Sequence, residues 1–156
     1  MTATFDNKNV GSSKAVTVNS ITLTDGTNGG LAANYSLSTG QTTTANITPK
    51  TLTASASSSD KVYDGTTTAT STLTFFGLIN SETLGQTVGS TFSDKNVGTD
   101  KTVTVNSIAL ADGTNGGLAL NYSISSGQTT TANITTKALT VSGITASNKS
   151  YDGTTT

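Results

Sequence analysis

The chain repeats itself, and the distance between copies is the strongest constraint on its fold. "FDNKNVGSSKAVTVNSITLTDGTNGGLAANYS" begins at Phe5, and "FSDKNVGTDKTVTVNSIALADGTNGGLALNYS" begins 87 residues later at Phe92. The match continues without a gap through "GQTTTANITPKTLT" from Gly40 and "GQTTTANITTKALT" from Gly127. One inserted residue then places "KVYDGTTT" from Lys61 against "KSYDGTTT" from Lys149, an offset of 88. Solenoid coils repeat every 20–50 residues or so. A period this long suits a small bead-like domain instead. The expected division is the later part of one module over 1–57, a complete module over 58–145, and the opening strand of a third over 146–156.

Apolar spacing inside a unit has period two, the signature of half-buried strands. In "LALNYSIS", Leu118, Leu120, Tyr122 and Ile124 share a parity, as do Leu31, Ala33, Tyr35 and Leu37 in the first copy. Val88 pairs in parity with Phe92, Ala132 with Ile134, and Leu139 with Val141. Two stretches change parity. Val103 and Val105 give way to Ile108 and Leu110, and Val16 and Val18 to Ile21 and Leu23. A one-residue slip turns the inward set outward, so a β-bulge is expected at Asn106-Ser107 and at Asn19-Ser20. "LTFFGL" changes parity at Gly77, where the strand is expected to cross. Asp-Gly pairs in "DGTNGG" and "YDG" predict tight turns, and "KNVG" another loop. No stretch has helical spacing. Short strands between turn signals predict an all-β fold, read as tandem immunoglobulin-like β-sandwich modules in an elongated rod. The Cys and Trp pins of antibody domains are absent, since Cys is 0 and Trp is 0.

Composition narrows the function. Charged residues are 11%, where about 25% is usual. Ser, Thr, Asn and Gly fill the gap. A net charge of -1 leaves no field for nucleic acid, and no apolar run is long enough for membrane insertion. Met1 runs into "TATFDNKNV" without a charged n-region or apolar h-region, so no signal peptide is expected. With His 0 and Cys 0, imidazole and thiolate chemistry are excluded. The acids are almost all Asp in turn contexts, and Glu82 is the only glutamate. No catalytic residue and no cofactor are expected.

At this point "KVYDGTTTAT", "FSDKNVGTDKTVTV" and "NYSISSGQTTTANITTKALTV", three spaced motifs in order, carry a resemblance over essentially the whole chain. It resembles the YDG repeat and its relatives, the glycine-rich MBG repeats, which occur in tandem in very large bacterial surface and secreted proteins, including filamentous-haemagglutinin-like adhesins. One departure is Thr136, where the first copy has Pro49 in the more usual "ITPK". The resemblance implies an extracellular module at the bacterial cell surface, in an adhesin stalk, and brings no catalytic residues to carry over. The residues expected to define the unit are Tyr63, Asp64, Gly65, Tyr151, Asp152, Gly153, Lys95, Asn96, Gly98 and Tyr122. Tyr63 is expected to pack its ring at the entrance of the sandwich, with the Asp64-Gly65 turn after it.

Other residue groups suggest further chemistries, each with a plainer reading beside it. Asp25 and Asn28, with Asp112 and Asn115, offer hard oxygen ligands for calcium, but one carboxylate per loop is few for a dication. Their plain reading is a glycine-rich turn. Lys61, Lys95, Asn121, Asn133, Asp64 and Asp94 supply the residue types of a Lys–Asn isopeptide cross-link. Asn34, Asn46, Asn121, Asn133 and Asn148 head N-x-[ST] triplets, read as wet-face strand residues. Thr rows such as "TTTAN" are too short to order water as ice-binding solenoids do. The favoured reading is a non-catalytic spacer whose partners are neighbouring repeat modules. One alternative is a carbohydrate- or protein-binding module using the loops Asp94–Gly98 or Asp112–Gly117. The other is a filament subunit that adds its terminal strand head-to-tail to other copies of itself.

Overall fold

Thr, Val and Ile stiffen the backbone toward extended conformations, and strands account for nearly all regular structure. The computed structural model describes residues 1–156. In chain order its strands are β1 (Thr2–Phe5), β2 (Gly11–Ser20), β3 (Thr42–Ile47), β4 (Lys50–Thr51), β5 (Thr53–Ser58), β6 (Lys61–Val62), β7 (Thr68–Ala69), β8 (Ser71–Phe76), β9 (Leu84–Phe92), β10 (Gly98–Asp112), β11 (Tyr122–Ser123) and β12 (Thr129–Thr135). The only helical pieces are 3₁₀ turns at Ala32–Asn34 and Ala119–Asn121. The fold is all-β.

The repeat is visible in strand pairing. β1-β2-β3 form an antiparallel sheet, and β9-β10-β12 form the same ladder 87 residues on. Phe5 faces Val16 as Phe92 faces Val103. Both expected bulges are present. Partners jump from Ser20 to Val18 across Asn19, and from Ser107 to Val105 across Asn106. Inward parity therefore breaks as the sequence requires, and Val103 and Val105 are fully buried. Ala132 and Ile134 are buried on one face of β12, as their parity predicts.

In the second copy this ladder grows to five strands, in the order β6-β12-β10-β9-β7, with β6 parallel to β12. The antiparallel β5–β8 pair lies against it, β5 beside β12 and β8 beside β9. Ala69, Phe92, Val103, Ala132 and Ile134 form the core, with Tyr63 packed on it. Buried Ser90 is satisfied by the Ala69 carbonyl at 3.0 Å and by Ser71 Oγ at 2.7 Å. Gln86 reaches across to both the N–H and the C=O of Leu73, at 3.0 and 2.7 Å.

Nothing covers the first copy in this way. Phe5 is 40% exposed where Phe92 is 3%, and Tyr35 is 68% exposed where Tyr122 is 6%. The difference is the layer over the sheet. Residues 50–76 cover the second copy, and no counterpart lies over the first.

Several sequence expectations are corrected. The "LALNYSIS" strand is a 3₁₀ turn followed by the two residues of β11, and Leu120 is 52% exposed. In the first copy the equivalent stretch has the 3₁₀ turn and no strand. Asp112 Oδ1 accepts the Ala119 N–H at 2.7 Å, and Asp25 Oδ1 the Ala32 N–H at 2.7 Å. That local bond holds a tight turn against extended backbone. The turn in "DGTNGG" lies at Asn115-Gly116, both at positive φ (57° and 83°), with Gly117 N–H donating to Thr114 C=O. Asn-Gly suits this mirror-image turn better than Asp-Gly, which sits at the strand end. Gly77 ends β8 instead of crossing within it. Leu139 and Val141, expected in a strand, are exposed, and residues 136–156 form no strand. The expected opening strand over 146–156 is a closed turn, because a strand needs a ladder partner and none is beside it.

Candidate functional site at the junction of the repeats

Between the two copies runs a polar seam built from three short pieces. The first is the "KNVG" loop of the first copy. Asn9 N–H bonds Asn7 Oδ1 at 3.0 Å, and Lys14, its side chain largely covered, donates to Asn7 Oδ1 at 2.7 Å and pairs with Asp6 at 3.0 Å. This staples the loop so that Lys8, Asn9 and Val10 point onward. The second piece is the turn Ile79–Glu82, closed by Glu82 N–H on Ile79 C=O at 2.8 Å. The third is Asn121-Tyr122, delivered by the 3₁₀ turn.

These pieces interlock. Lys8 Nζ meets Glu82 Oε1 at 2.8 Å. Tyr122 donates its hydroxyl to Glu82 Oε2 at 2.5 Å and accepts the Ile79 N–H at 3.2 Å. Val10 N–H donates to Asn121 Oδ1 at 2.8 Å, and Asn121 Nδ2 donates to Asn9 Oδ1 at 3.1 Å. The linking segment adds backbone pairing: β4 runs parallel to β11, and Leu52 N–H reaches Ser123 C=O at 2.8 Å. Glu82, 6% exposed, has charge-assisted bonds on both oxygens, which is how a buried carboxylate is tolerated. The Lys8 ammonium and the Tyr122 hydroxyl hold it below its ordinary pKa. Burial, and then the bond to Glu82, raise the Tyr122 phenol. A cavity of about 240 Å³ opens beside the seam, lined in part by Ile47, Lys50, Ile79 and Asn80.

Sequence reasoning missed Lys8 and Glu82. The available signal was that Glu82 is the only glutamate of the chain. Of the residues it did single out, Tyr122 stands at the centre of the seam, and Lys95 and Asn96 occupy the loop equivalent to Lys8 and Asn9. Asp94 Oδ1 accepts the Asn96 N–H at 2.7 Å, and Asp94 Oδ2 pairs with Lys101 at 2.7 Å. Gly98 lets the Lys101 stem pass, since a Cβ there would lie 3.2 Å from Lys101 Cδ. Lys95 has no ion-pair partner.

The "YDG" motif is a second, self-contained structure. Lys61 Nζ donates to Asp64 Oδ1 (2.8 Å), Thr66 C=O (2.9 Å), Thr66 Oγ1 (3.1 Å) and Thr68 C=O (3.0 Å). Asp64 Oδ1 also accepts from Thr66 N–H and Oγ1, each at 2.9 Å. Gly65, at φ 81°, makes the turn. These bonds, that from Lys61 foremost, lower the Asp64 pKa to about 2. The turn sits on the core: Tyr63 N–H bonds Thr135 C=O at 2.9 Å, Phe92 N–H bonds Thr67 C=O at 2.7 Å, and Lys61 lies 5.6 Å above the Phe92 ring. The Tyr63 ring packs against the core cluster. Lys149, Tyr151, Asp152 and Gly153 rebuild the same turn, with Lys149 on Asp152 (2.7 Å), Thr154 C=O (3.1 Å) and Thr156 O (2.7 Å). Tyr151, however, is 97% exposed.

The remaining candidates are spread over other tasks. Asp25 and Asp112 cap backbone N–H groups, and Asn115 donates to Ser81 C=O at 3.0 Å. Asn28 takes a positive φ in its turn. No group of three or more His, Cys, Asp or Glu side chains gathers around a possible metal position. Lys61 is bonded to Asp64, Asn133 to Asp60 and Asp100, and Asn121 to the "KNVG" loop. The residue types of an isopeptide triad are therefore not brought together. No helix is long and apolar enough to cross a membrane.

No curated protein and no solved structure matches the chain. A family model does: the YDG domain matches residues 1–45 and 48–132. Two matched stretches, meeting near the end of β3, take in both copies of the repeat and most of the sequence, so the chain belongs to the YDG domain family.

Proposed function

We propose that the chain is a non-catalytic structural repeat, a stalk or spacer segment of a bacterial extracellular adhesin. In this reading each repeat is an immunoglobulin-like β-sandwich bead, and successive beads follow one another as an elongated rod that holds a distal binding domain off the cell. The observation that carries it is the seam. Lys8, Asn9 and Val10 of one copy are bonded to Glu82 and Asn121 of the next, with Tyr122 holding Glu82 in place, while β4 of the linking segment pairs with β11. A binding module has no need to orient one copy against the next, whereas a spacer does, because reach depends on stiffness at every joint.

Small-angle scattering of the intact chain tests the reading. A rod-like distance distribution is expected, longer than a sphere of this mass allows. A compact, globular profile would refute it. Antibody labelling of bacteria that carry the parent gene should decorate the cell surface, and label confined to the cytoplasm would count against the location.

A further inference from the structure

We propose that Asn115-Gly116 is a chemical modification site at the joint between the repeats. Asn115 loses its side-chain amide to give aspartate and isoaspartate when the seam opens, and the product hinders the seam from closing again. The proposal rests on the geometry of the seam and not on the spacer reading.

Asn115 and Gly116 are both exposed and both at positive φ, 57° and 83°, at the tip of the "DGTNGG" turn. Gly116 has no Cβ to screen its backbone nitrogen, and its N–H finds no acceptor within the protein. Once hydroxide removes that proton, the nitrogen can attack Asn115 Cγ. A C–N bond forms, the side-chain nitrogen leaves as ammonia, and a cyclic imide results. Water then opens the ring at either carbonyl. One opening gives aspartate. The other gives isoaspartate, whose extra methylene lies in the backbone. Water is consumed and ammonia released, and nothing is oxidised or reduced.

The folded turn withholds the reaction. Ring closure swings Asn115 Cγ toward the Gly116 nitrogen, yet Asn115 Nδ2 is held on Ser81 C=O at 3.0 Å. Gly117 N–H closes the turn on Thr114 C=O at 3.1 Å, and Thr83 Oγ1 accepts the Thr114 N–H at 2.7 Å. Conversion therefore runs through a local opening, at a rate set by how often the turn lets go. The same bonds lead into the seam. Ser81 stands next to Glu82 in the turn Ile79–Glu82, and a Cβ at Gly116 would lie 3.6 Å from Lys8 Nζ and 3.9 Å from Glu82 Oε1. A carboxylate at position 115 accepts hydrogen bonds and donates none, so it cannot hold Ser81 C=O. It also brings a second negative charge near Glu82, in competition for the Lys8 ammonium. Isoaspartate lengthens the turn as well. Each product weakens the tether of the Glu82 turn, and with it the bond across the joint.

Incubating the full chain in mildly alkaline buffer, with and without urea, tests this. Fragment masses and labelling by an isoaspartyl methyltransferase locate the product. Conversion at Asn115 should occur in the folded chain, about tenfold or more slower than in urea. Glu82→Gln, which removes the charge that Lys8 meets, should speed it by about fivefold. Thr83→Ala, which frees the Thr114 N–H, should act in the same direction, and it serves if Glu82→Gln does not fold. Asn115→Asp reproduces one product directly. The side chain is exposed, so the fold should stand. Relaxation of amide nitrogens in that variant should show residues 1–47 tumbling more independently of residues 84–135 than in the parent chain. An Asn115 still intact in the folded chain after many times the interval that exhausts it in urea would overturn the proposal. So would equal rates with and without urea, a rate indifferent to both substitutions, or unchanged correlation times in Asn115→Asp.

Discussion

Asp64 shows how a single side chain makes the family motif into a folded object. Its Oδ1 gathers the Lys61 ammonium, the Thr66 N–H and the Thr66 hydroxyl, so its charged form is favoured and its pKa falls to about 2. A carboxylate with a lowered folded-state pKa adds stability above its unfolded value and loses it as pH falls through the folded one. The Asp64 contribution is therefore present above about pH 4 and disappears between about pH 4 and pH 2. Asp64→Asn should lower the urea midpoint at neutral pH, and the gap to the parent protein should close over that acid window. A gap that persists at pH 2 would show that the charge is not what Asp64 contributes. The motif was legible from its residue types, since Asp-Gly makes turns. The fourfold grip of Lys61 was not, because it depends on carbonyls whose directions only the folded turn sets.

At the level of elements, the "DGTNGG" loop uses its glycines differently in its two copies. In the second copy the chain doubles back so that Thr83 enters the loop, with Thr114 N–H on Thr83 Oγ1 at 2.7 Å and Thr83 N–H on Thr114 C=O at 3.2 Å. A Cβ at Gly113 or Gly117 would lie 2.1 or 2.0 Å from the Thr83 carbonyl oxygen. In the first copy the equivalent Gly26 and Gly30 meet nothing closer than 3.9 and 3.4 Å. Gly113→Ala should therefore cost about 1–3 kcal/mol or more, as overpacking does, while Gly26→Ala should be close to neutral. Equal denaturant shifts for the two variants would contradict this account. Parity in the sequence located both bulges, because Asn19 and Asn106 carry the extra residue that a change of face demands. The same parity misread "LALNYSIS". A 3₁₀ turn capped by Asp112 can also bury Tyr122 and expose Leu120, and period two does not distinguish it from a strand. Leu139 and Val141 fail for another reason: alternation marks a face, but a strand forms only beside a partner.

For the whole molecule, the two copies behave as one object only as far as the seam joins them. Glu82→Gln keeps a side chain for Tyr122 to bond and removes the charge that Lys8 meets. Relaxation measurements on amide nitrogens should then show residues 1–47 tumbling more independently of residues 84–135 than in the parent chain. Unchanged correlation times would mean that β4–β11 pairing and the Asn121 bonds suffice alone. Because the Glu82 pKa is lowered by Lys8 and Tyr122, acidification below the ordinary carboxylate range should loosen the parent protein in the same direction. The repeat, the all-β fold, the bulges and the turn-forming motif are legible in the order of the amino acids, since each depends on neighbouring residues or on a period along the chain. Folding alone set the β5–β8 pair against the β9-β10-β12 sheet. It also decided that Lys8, 74 residues before Glu82, is its partner. Those outcomes depend on which segments meet across the repeats. Residues 50–76 accordingly lie over the second copy, where Phe92 and Tyr122 are buried.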